Sequence, residues 1–218
     1  MKIIVIGATG GTGRAVVEEL LAHGHEVTAF ARRPNALESS DPRLHRFAGD
    51  VMNPVDVGRA IQGHDAVVVA LGIRENPLLV RLRGSKGTAM NVRSAGTHNV
   101  VAAMQEHGVR RLVVMSTYGV NETWDRLSLK WKLIFSLLLK PQIADTEVQE
   151  RVVRNSGLDW VIARPVGLTD DGEDSSLFAS TEGEARHMNV SRQAVARFLA
   201  EAAERPSHVS QSVALSAA

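Results

Sequence analysis

The stretch IIVIGATGGTG at residues 3–13 decides the fold. The β-branched run Ile3–Ile6 predicts a buried strand, and three glycines follow it at intervals of three, Gly7, Gly10 and Gly13. The first glycine permits a tight turn, the second lets the backbone approach a pyrophosphate, and the third lets a helix pack closely on the strand. The helix N-terminus offers N–H groups and a partial positive charge to phosphates. This unit predicts a dinucleotide-binding turn, and a purely structural turn is the alternative.

Outward from this stretch, short β-branched runs alternate with longer helical patterns. Such alternation is typical of parallel βαβ units, so we expect an α/β fold with a doubly wound parallel sheet in one domain, residues 1–218. Residues 74–96 and 119–141 interrupt the alternation, and we expect both to be substrate-side loops. The predicted strands are Ile3–Ile6, His25–Ala31, Leu44–Phe47, Asp65–Leu71, Arg111–Met115, Leu158–Ala163 and an edge strand, Val213–Leu215. The predicted helices are Arg14–His23, Pro54–Gln62, Thr97–His107, Gln142–Asn155 and Val190–Glu204, the last with Ser191 as its N-cap.

Composition and charge exclude several classes of protein. The chain has 218 residues with 25 basic and 24 acidic side chains, and a net charge of +1 gives no global field that would attract nucleic acid or acidic lipid. Cysteine is absent, which excludes disulfides and thiol nucleophiles. The eight histidines show no HxxxH or HExxH spacing, so we expect no metal site. The apolar run Leu133–Leu139 is about a third of a membrane span, and the N-terminal run stops at Gly7. We therefore expect a cytoplasmic protein with no membrane partner.

The residues after the second, third and fourth strands bear on the choice of cofactor. A site for NAD would place Asp or Glu after the second strand to hold the ribose 2′-OH, whereas this chain has Arg32 and Arg33. Arginine suits a 2′-phosphate, so we favour NADP(H) over NAD(H), with Arg32 as the first choice. Asp50 and Val51 end the third strand, where they either contact the adenine or only form a turn. Residues 70–72, Ala-Leu-Gly, are expected to pass beneath the cofactor ribose.

Several motifs together resemble one family. They are GATGGTG at 7–13, ARR at 31–33, GDV at 49–51, ALG at 70–72, NVVAAM at 99–104, HGV at 107–109 and SGLDWVIARP at 156–165. With them the chain resembles the atypical short-chain dehydrogenase/reductase group, in particular its single-domain NAD(P)H-binding branch. That branch includes the NmrA-like proteins and the biliverdin-IXβ reductase/flavin reductase type.

The resemblance implies a Rossmann fold and a set of cofactor contacts. The implied contacts are Gly7, Thr9, Gly10, Thr12, Gly13, Arg32, Asp50, Val51, Leu71, Gly72 and Ser116. The resemblance to the flavin reductase type adds Arg74, which follows the fourth strand. Gly11, Arg33 and Pro165 are further candidates beside these positions.

The catalytic pair of the classical superfamily members is missing. Those enzymes use YxxxK on one helix, in which the lysine cation lowers the pKa of the phenol. Here helical register places Gln142 and Thr146 at those positions, which argues against alcohol dehydrogenase or epimerase chemistry. The candidate catalytic residues are Ser116, Thr117 and Tyr118, at the end of the fifth strand. Ser116 or Thr117 would orient a carboxamide or a substrate carbonyl, and Tyr118 would donate a hydrogen bond or only pack.

Two functions fit this pattern. The first is an NADPH-dependent oxidoreductase that reduces a flat conjugated acceptor such as flavin or quinone, because the cofactor itself carries the hydride. The alternative is a non-catalytic NADP-binding redox sensor of the NmrA kind. In either case we expect a small-molecule partner and a monomer or homodimer.

Two further features carry expectations. Trp124, Trp131 and the apolar run after them are expected to cover a flat substrate as a lid and to contribute to a subunit contact, or else to form a packed helix. Glu147 and Glu150 are expected to make hydrogen bonds at the surface or on the cofactor side rather than to act as general acids.

Overall fold

A mostly parallel sheet forms the centre of the computed structural model, which describes residues 1–73, 87–170 and 176–218 apart from the side chain of Leu138. The strands are β1 (Lys2–Ile6), β2 (Glu26–Ala31), β3 (Leu44–Ala48), β4 (Ala66–Val69), β5 (Arg111–Met115), β6 (Asp159–Pro165), β7 (Gly167–Thr169), β8 (Leu177–Ser180), β9 (Asn189–Ser191) and β10 (Gln211–Ala217). Within the described residues, eight of them form a sheet in the order β3-β2-β1-β4-β5-β6-β10-β8. All neighbours are parallel except β10 and β8, and β7 pairs with β9 in a separate parallel ribbon.

The helices lie on both faces of the sheet. They are α1 (Gly11–Ala22), α2 (Pro54–Ile61), α3 (Val92–His107), α4 (Leu129–Ile134), α5 (Lys140–Arg154) and α6 (Arg192–Glu204), with one π-helical segment, Phe135–Leu139, between α4 and α5. Polar caps fix two helix starts, because the side chain of Asn53 accepts from the Val55 N–H (3.0 Å) and that of Ser191 from the Ala194 N–H (3.1 Å). The caps explain why α2 and α6 begin where they do.

Residue alternation along β1 explains the two-sided packing. Ile3 and Val5 join the cluster made with α1 and α6, whereas Ile4 and Ile6 join the cluster made with α2 and α3. All four side chains are fully buried. Each contributes about 1.5–3 kcal/mol relative to an exposed position. A strand that is apolar on both faces needs helices on both sides, which is the doubly wound arrangement predicted from the sequence.

The structure corrects three of the predicted elements. Val213–Leu215 belongs to an interior strand, because β10 lies between β6 and β8, and β8 forms the edge instead. Sequence reasoning missed β8 because its residues are only partly buried or exposed and show no strong period. The helix predicted to begin at Thr97 begins five residues earlier, at Val92. Residues 119–141 contain helical structure from Leu129 onward rather than only a loop.

Candidate functional site

A cleft of about 650 Å³ lies at the carboxyl ends of β1, β2, β3 and β4. It sits where the strand order reverses on either side of β1, which is where ligands bind in open α/β sheets. Ten of the predicted cofactor contacts line it: Gly7, Thr9, Gly10, Gly11, Thr12, Arg32, Asp50, Val51, Leu71 and Gly72. The cleft is therefore assembled by the elements from which the site was predicted.

The glycine-rich turn has the geometry that its sequence predicts. Gly7 has φ +87°, and a Cβ there would lie 2.6 Å from the carbonyl oxygen of Ala70, which directly follows β4. A Cβ on Gly13 would overlap the carbonyl oxygen of Gly7, so Gly13 packs behind the turn rather than lining the cleft. Since α1 begins at Gly11, the N–H groups of its first turn have no acceptor within the helix. This helix start can receive an anion.

The two arginines after β2 occupy different environments. Arg32 lines the cleft, where its Nη1 donates to the Gly87 carbonyl oxygen (2.5 Å) and its Nη2 contacts the Thr88 hydroxyl (3.4 Å). Arg33 is exposed and does not line the cleft. Both arginines are exposed, and what separates them is that Arg32 lines the cleft and Arg33 does not. Arg74, the other predicted cation, lies outside the described residues.

The ends of β3 and β4 form the cleft wall next to β1. The Asp50 carboxylate accepts from the Met52 N–H (3.0 Å), as in the turn alternative, yet Asp50 also lines the cleft. The Val51 carbonyl oxygen accepts from the Asn99 side chain (2.9 Å), which ties the end of β3 to α3. Residues 70–72 line the cleft. Hydrogen bonds therefore hold this wall in place, and Asp50 still lines the cleft.

Arg192 is a cleft residue that sequence reasoning missed. Its Nε donates to the Asp170 carboxylate (2.7 Å) and its Nη1 contacts the Thr12 hydroxyl (3.3 Å). A Cβ on Gly11 would lie 3.0 Å from Nε of Arg192, so the guanidinium stands directly beside the start of α1. The hydrogen bond from Arg192 lowers the pKa of Asp170 below its usual range. No local pattern predicts this contact, because it joins residues 180 positions apart.

Arg93 is a third cation on the cleft, at the start of α3. A Cβ on Gly72 would lie 3.3 Å from its Nη2, and among the described residues its buried Nη1 has no hydrogen-bond partner. Burial lowers the pKa of Arg93 below its usual range, and Asp145 opposes that change. Asp145 itself accepts from the backbone N–H groups of Arg93 and Ser94 (3.1 and 3.2 Å). The guanidinium can therefore pair with an anionic group in the cleft.

The three candidate catalytic residues directly follow Met115, which lines the cleft. Tyr118 is buried in the core, and its hydroxyl donates to the Gly183 carbonyl oxygen (3.0 Å). Burial raises the pKa of the Tyr118 phenol, which disfavours its ionisation. Ser116 is buried and donates to the Glu150 carboxylate (2.6 Å), and Thr117 is half-buried beside Tyr118. None of the three lines the described cleft, because the chain turns inward after β5.

Ser116 belongs to a buried ionic cluster that the sequence did not indicate. Arg164 forms a bidentate pair with Glu150, with Nε to Oε1 at 2.8 Å and Nη2 to Oε2 at 2.5 Å. The Asn121 side chain also donates to Glu150 (2.6 Å). Glu150 thus makes hydrogen bonds, as predicted, and it makes them inside the core rather than at the cofactor. The cluster fixes the chain that leaves β5 against α5 and β6. Pro165, another predicted contact, ends β6 and is not among the residues that line the described cleft.

Glu122 extends this cluster to the surface. Arg154 donates to its Oε1 (2.6 Å), and Arg164 donates to its Oε2 (2.7 Å). Partial burial alone would raise the pKa of Glu122, but the hydrogen bonds from the two arginines outweigh it and lower the pKa to about 2. The carboxylate therefore stays charged at neutral pH.

The positions of the missing Tyr–Lys pair hold no acid. Thr146 is buried and its hydroxyl donates to the Gln142 carbonyl oxygen (2.8 Å) within α5. Trp124 and Trp131 are partly buried, pack against the core cluster on the α1 and α6 face, and do not line the described cleft. Trp131 also meets Phe135 edge to face at 6.2 Å. This packing favours the packed-helix alternative over the lid for both indoles.

Comparisons with known proteins agree with this geometry. A family model described as NAD(P)H-binding matches residues 7–206. An uncharacterized chloroplastic protein of Arabidopsis thaliana is 30% identical over 206 residues, which covers 92% of this chain and 71% of the relative. A 2-alkyl-3-oxoalkanoate reductase of Stenotrophomonas maltophilia is 35% identical over 121 residues, but the match covers 56% of this chain and only 34% of that enzyme.

Solved structures share the fold at low sequence identity. An anaerobillin reductase from Escherichia coli has a TM-score of 0.80 at 22% identity, covering 100% of this chain and 97% of that one. A short-chain dehydrogenase/reductase from Veillonella parvula, solved in complex with NADP, also has a TM-score of 0.80, at 20% identity, covering 99% of this chain and 94% of that one. At this identity the likeness concerns the fold.

Proposed function

The chain belongs to the NAD(P)H-binding family, and we propose that it is an NADPH-dependent oxidoreductase that reduces a flat conjugated acceptor such as flavin or quinone. The observation that carries the proposal is the cleft over the glycine-rich turn, with Arg32 on one side and an apolar end on the other. A bound nicotinamide cofactor would supply the hydride. The protein then has to bind the cofactor and the acceptor, orient them towards each other and exclude water.

The preference for NADPH rests on Arg32. Its guanidinium follows β2, where the ribose 2′ position of a dinucleotide lies in this fold. It carries a fixed positive charge and several donors, which match a 2′-phosphate better than a 2′-hydroxyl. The cleft has no Glu among its described lining residues, and its two aspartates, Asp50 and Asp170, follow β3 and β7 rather than β2.

The start of α1 and Arg192 support binding of the pyrophosphate. The first-turn N–H groups of α1 favour negative charge, and Arg192 stands beside Gly11 with a hydrogen bond to Thr12. Asp170 holds the guanidinium in this position through Nε. One cation and one helix start would thus share the charge of two phosphates.

The other end of the cleft suits an acceptor that needs little acid–base help. Ile73, Met115 and Leu168 line it with apolar atoms. Among the described lining residues the titratable side chains are only arginines and aspartates, and Asp170 is paired with Arg192. Hydride transfer to a flavin or quinone requires positioning, and the accompanying proton can come from water. The anaerobillin reductase with the same fold supports a reductase of a flat acceptor by fold-level analogy.

A redox sensor of the NmrA kind is the second candidate. The occupied hydroxyls of Ser116 and Tyr118 favour it, since neither is free to touch a substrate. A sensor would bind NADP(H) in the same cleft and would not oxidise NADPH when an acceptor is added.

For partners we propose a small-molecule acceptor and a monomer or homodimer. Leu129, Leu133 and Leu137 recur every fourth residue and are 86%, 61% and 59% exposed, which supports a subunit contact through this face. No helix among the described residues is long and apolar enough to cross a membrane. Sedimentation of the wild type and of Leu133→Asp tests the contact, because a charge in the stripe should shift a homodimer toward monomer.

The function itself is tested by NADPH oxidation with a panel of flavins and quinones. We expect acceptor-dependent loss of NADPH absorbance that saturates with acceptor. The loss should be strongly reduced in Gly10→Ala, because residue 10 is where the backbone approaches the pyrophosphate in this type of turn. Tight NADPH binding without any acceptor-dependent oxidation would support the sensor instead. Failure to bind either dinucleotide would refute both functions.

A further inference from the structure

Two histidines and a glutamate converge at the end of the sheet opposite the cleft. His23 follows α1, His25 immediately precedes β2, and Glu204 is the last residue of α6. The turn at Gly24 joins the two histidines, and the parallel packing of α1 and α6 brings Glu204 to them from 181 positions away. This end of the molecule has no part in the proposed function.

The three side chains present their ligand atoms to one another. Nδ1 of His23 lies 2.7 Å from Oε1 of Glu204, and Nε2 of His25 lies 3.1 Å from the same oxygen. When one ligand atom is taken from each of the three residues, the distances between these atoms are all at most 4.8 Å. The side chains of His25 and Glu204 are only 15% exposed, and that of His23 is 36% exposed. Two imidazoles therefore share one carboxylate in a partly dehydrated pocket that is still open to solvent.

We propose that His23, His25 and Glu204 form a binding site for a divalent transition metal ion of the Zn²⁺ class. Zinc bonds to imidazole nitrogen and carboxylate oxygen are about 2.0–2.2 Å long, so tetrahedral ligands stand roughly 3.3 Å apart. The separations of 2.7 and 3.1 Å need to open by about 0.6 and about 0.2 Å to reach that value. Water would complete the tetrahedron from the exposed side.

An outer contact supports this assignment independently of the three ligands. Oε1 of Glu19, one turn before His23 on α1, lies 3.4 Å from Nε2 of His23. The Gln193 side chain donates to the other oxygen of Glu19 (3.0 Å) and holds it in place. Metal-bound histidines almost always donate their second ring N–H to such a group, which orients the ring. Glu19 is therefore a positioning residue for His23.

The sequence expectation of no metal site rests on two spacings, HxxxH and HExxH. HxxxH and HExxH place both histidines on one helix face, whereas these two flank a turn and obtain their carboxylate from another helix. The metal would join the ends of α1 and α6 to the start of β2. Because a metal that binds only the folded state adds to stability, the site has a thermal readout that is separate from any activity.

The test uses the full chain without a histidine tag, titrated with ZnCl₂ by calorimetry and by thermal unfolding. We expect stoichiometric binding and a rise in Tm of about 5–10 °C at a Zn²⁺ concentration near 100 times Kd. Co²⁺ should give the visible absorption of a four-coordinate site. Mg²⁺ at the same concentration should leave Tm unchanged, because it prefers all-oxygen ligands.

Variants separate a built site from surface binding. His25→Gln and Glu204→Gln should each abolish the Zn²⁺-dependent rise in Tm, and Glu19→Gln should weaken Zn²⁺ about 10- to 100-fold. His98→Gln removes an exposed histidine elsewhere and should behave as the wild type. The Tm measured without metal shows that each variant folds. No rise in the wild type, or equal rises in wild type, His25→Gln and Glu204→Gln, would overturn the proposal as adventitious binding only.

Discussion

Replacing Arg32 by alanine is expected to weaken NADPH binding about 10- to 150-fold and to leave NADH binding nearly unchanged. Arg32 lines the cleft after β2 and is placed to pair with a 2′-phosphate. Hydrogen bonds to a charged group are worth about 1.5–3 kcal/mol, which gives that range of affinity. The Kd for each dinucleotide is measured by quenching of tryptophan fluorescence or by calorimetry at fixed ionic strength, since salt screens the interaction.

The ratio of the two affinities is the diagnostic quantity. Arg32 also contacts Gly87 and Thr88, so its removal loosens that edge of the cleft. Such loosening affects NADPH and NADH alike and cancels in the ratio. Arg33→Ala is the matched control, because it removes the same charge one residue away and outside the cleft. The reasoning is refuted if the wild type prefers NADH, or if Arg32→Ala weakens both dinucleotides by the same factor.

Three further predictions concern the turn, the tyrosine and His64, a half-buried histidine. Gly10→Ala should weaken NADPH binding at least about 10-fold, because residue 10 is where the backbone approaches the pyrophosphate. Its Tm should change little, because Gly10 has φ −68° and an added Cβ would lie 3.3 Å from the Gly7 carbonyl oxygen. The control Gly58→Ala, whose Cβ meets nothing within 4 Å, should bind NADPH normally. Tyr118→Phe should reduce turnover by less than about 10-fold, since its hydroxyl is held by Gly183; a loss of about 10²–10⁴ in kcat at unchanged NADPH affinity would make it a general acid. Burial lowers the pKa of His64 below its usual 6.5, so the stability it contributes is present above pH 6.5 and is lost as the pH falls below it. Urea unfolding from about pH 7.5 to about pH 5 checks this for the wild type, His64→Gln and the exposed control His98→Gln. The free energy of unfolding should fall less steeply with decreasing pH in His64→Gln only. An unchanged fall in that variant would contradict the reasoning.

Local patterns in the sequence predicted the elements that hold the dinucleotide cleft. The roles of Gly7 and Gly13 follow from a strand that enters a helix through a tight turn, and the structure confirms both. The position of Arg32 at the cleft can be predicted because parallel strands all end at the same edge of the sheet, and Arg32 directly follows β2. These features depend on residues close in sequence, so a pattern within about 30 positions carries them.

The missed features depend on contacts between distant parts of the chain. Arg192 reaches Thr12 from 180 positions away, and Arg164 reaches Glu122 from 42 positions away. Nothing local distinguishes these arginines from solvent-facing ones. For Tyr118 the sequence left two alternatives, donating a hydrogen bond or only packing. The hydrogen bond of its hydroxyl to Gly183 joins residues 65 positions apart, so no local pattern could choose between them.

The central claim, that this cleft holds NADPH and passes its hydride to a flat acceptor, is tested most directly with cofactor deuterated at carbon 4 of the nicotinamide. Single-turnover oxidation is followed at 340 nm, anaerobically, with each of the two epimers and a flavin or quinone from the panel. A cleft that fixes the nicotinamide exposes one face to the acceptor, so the account predicts slower oxidation for one epimer and an unchanged rate for the other. Equal rates for both epimers and the undeuterated cofactor, or no acceptor-dependent oxidation at all, would contradict it.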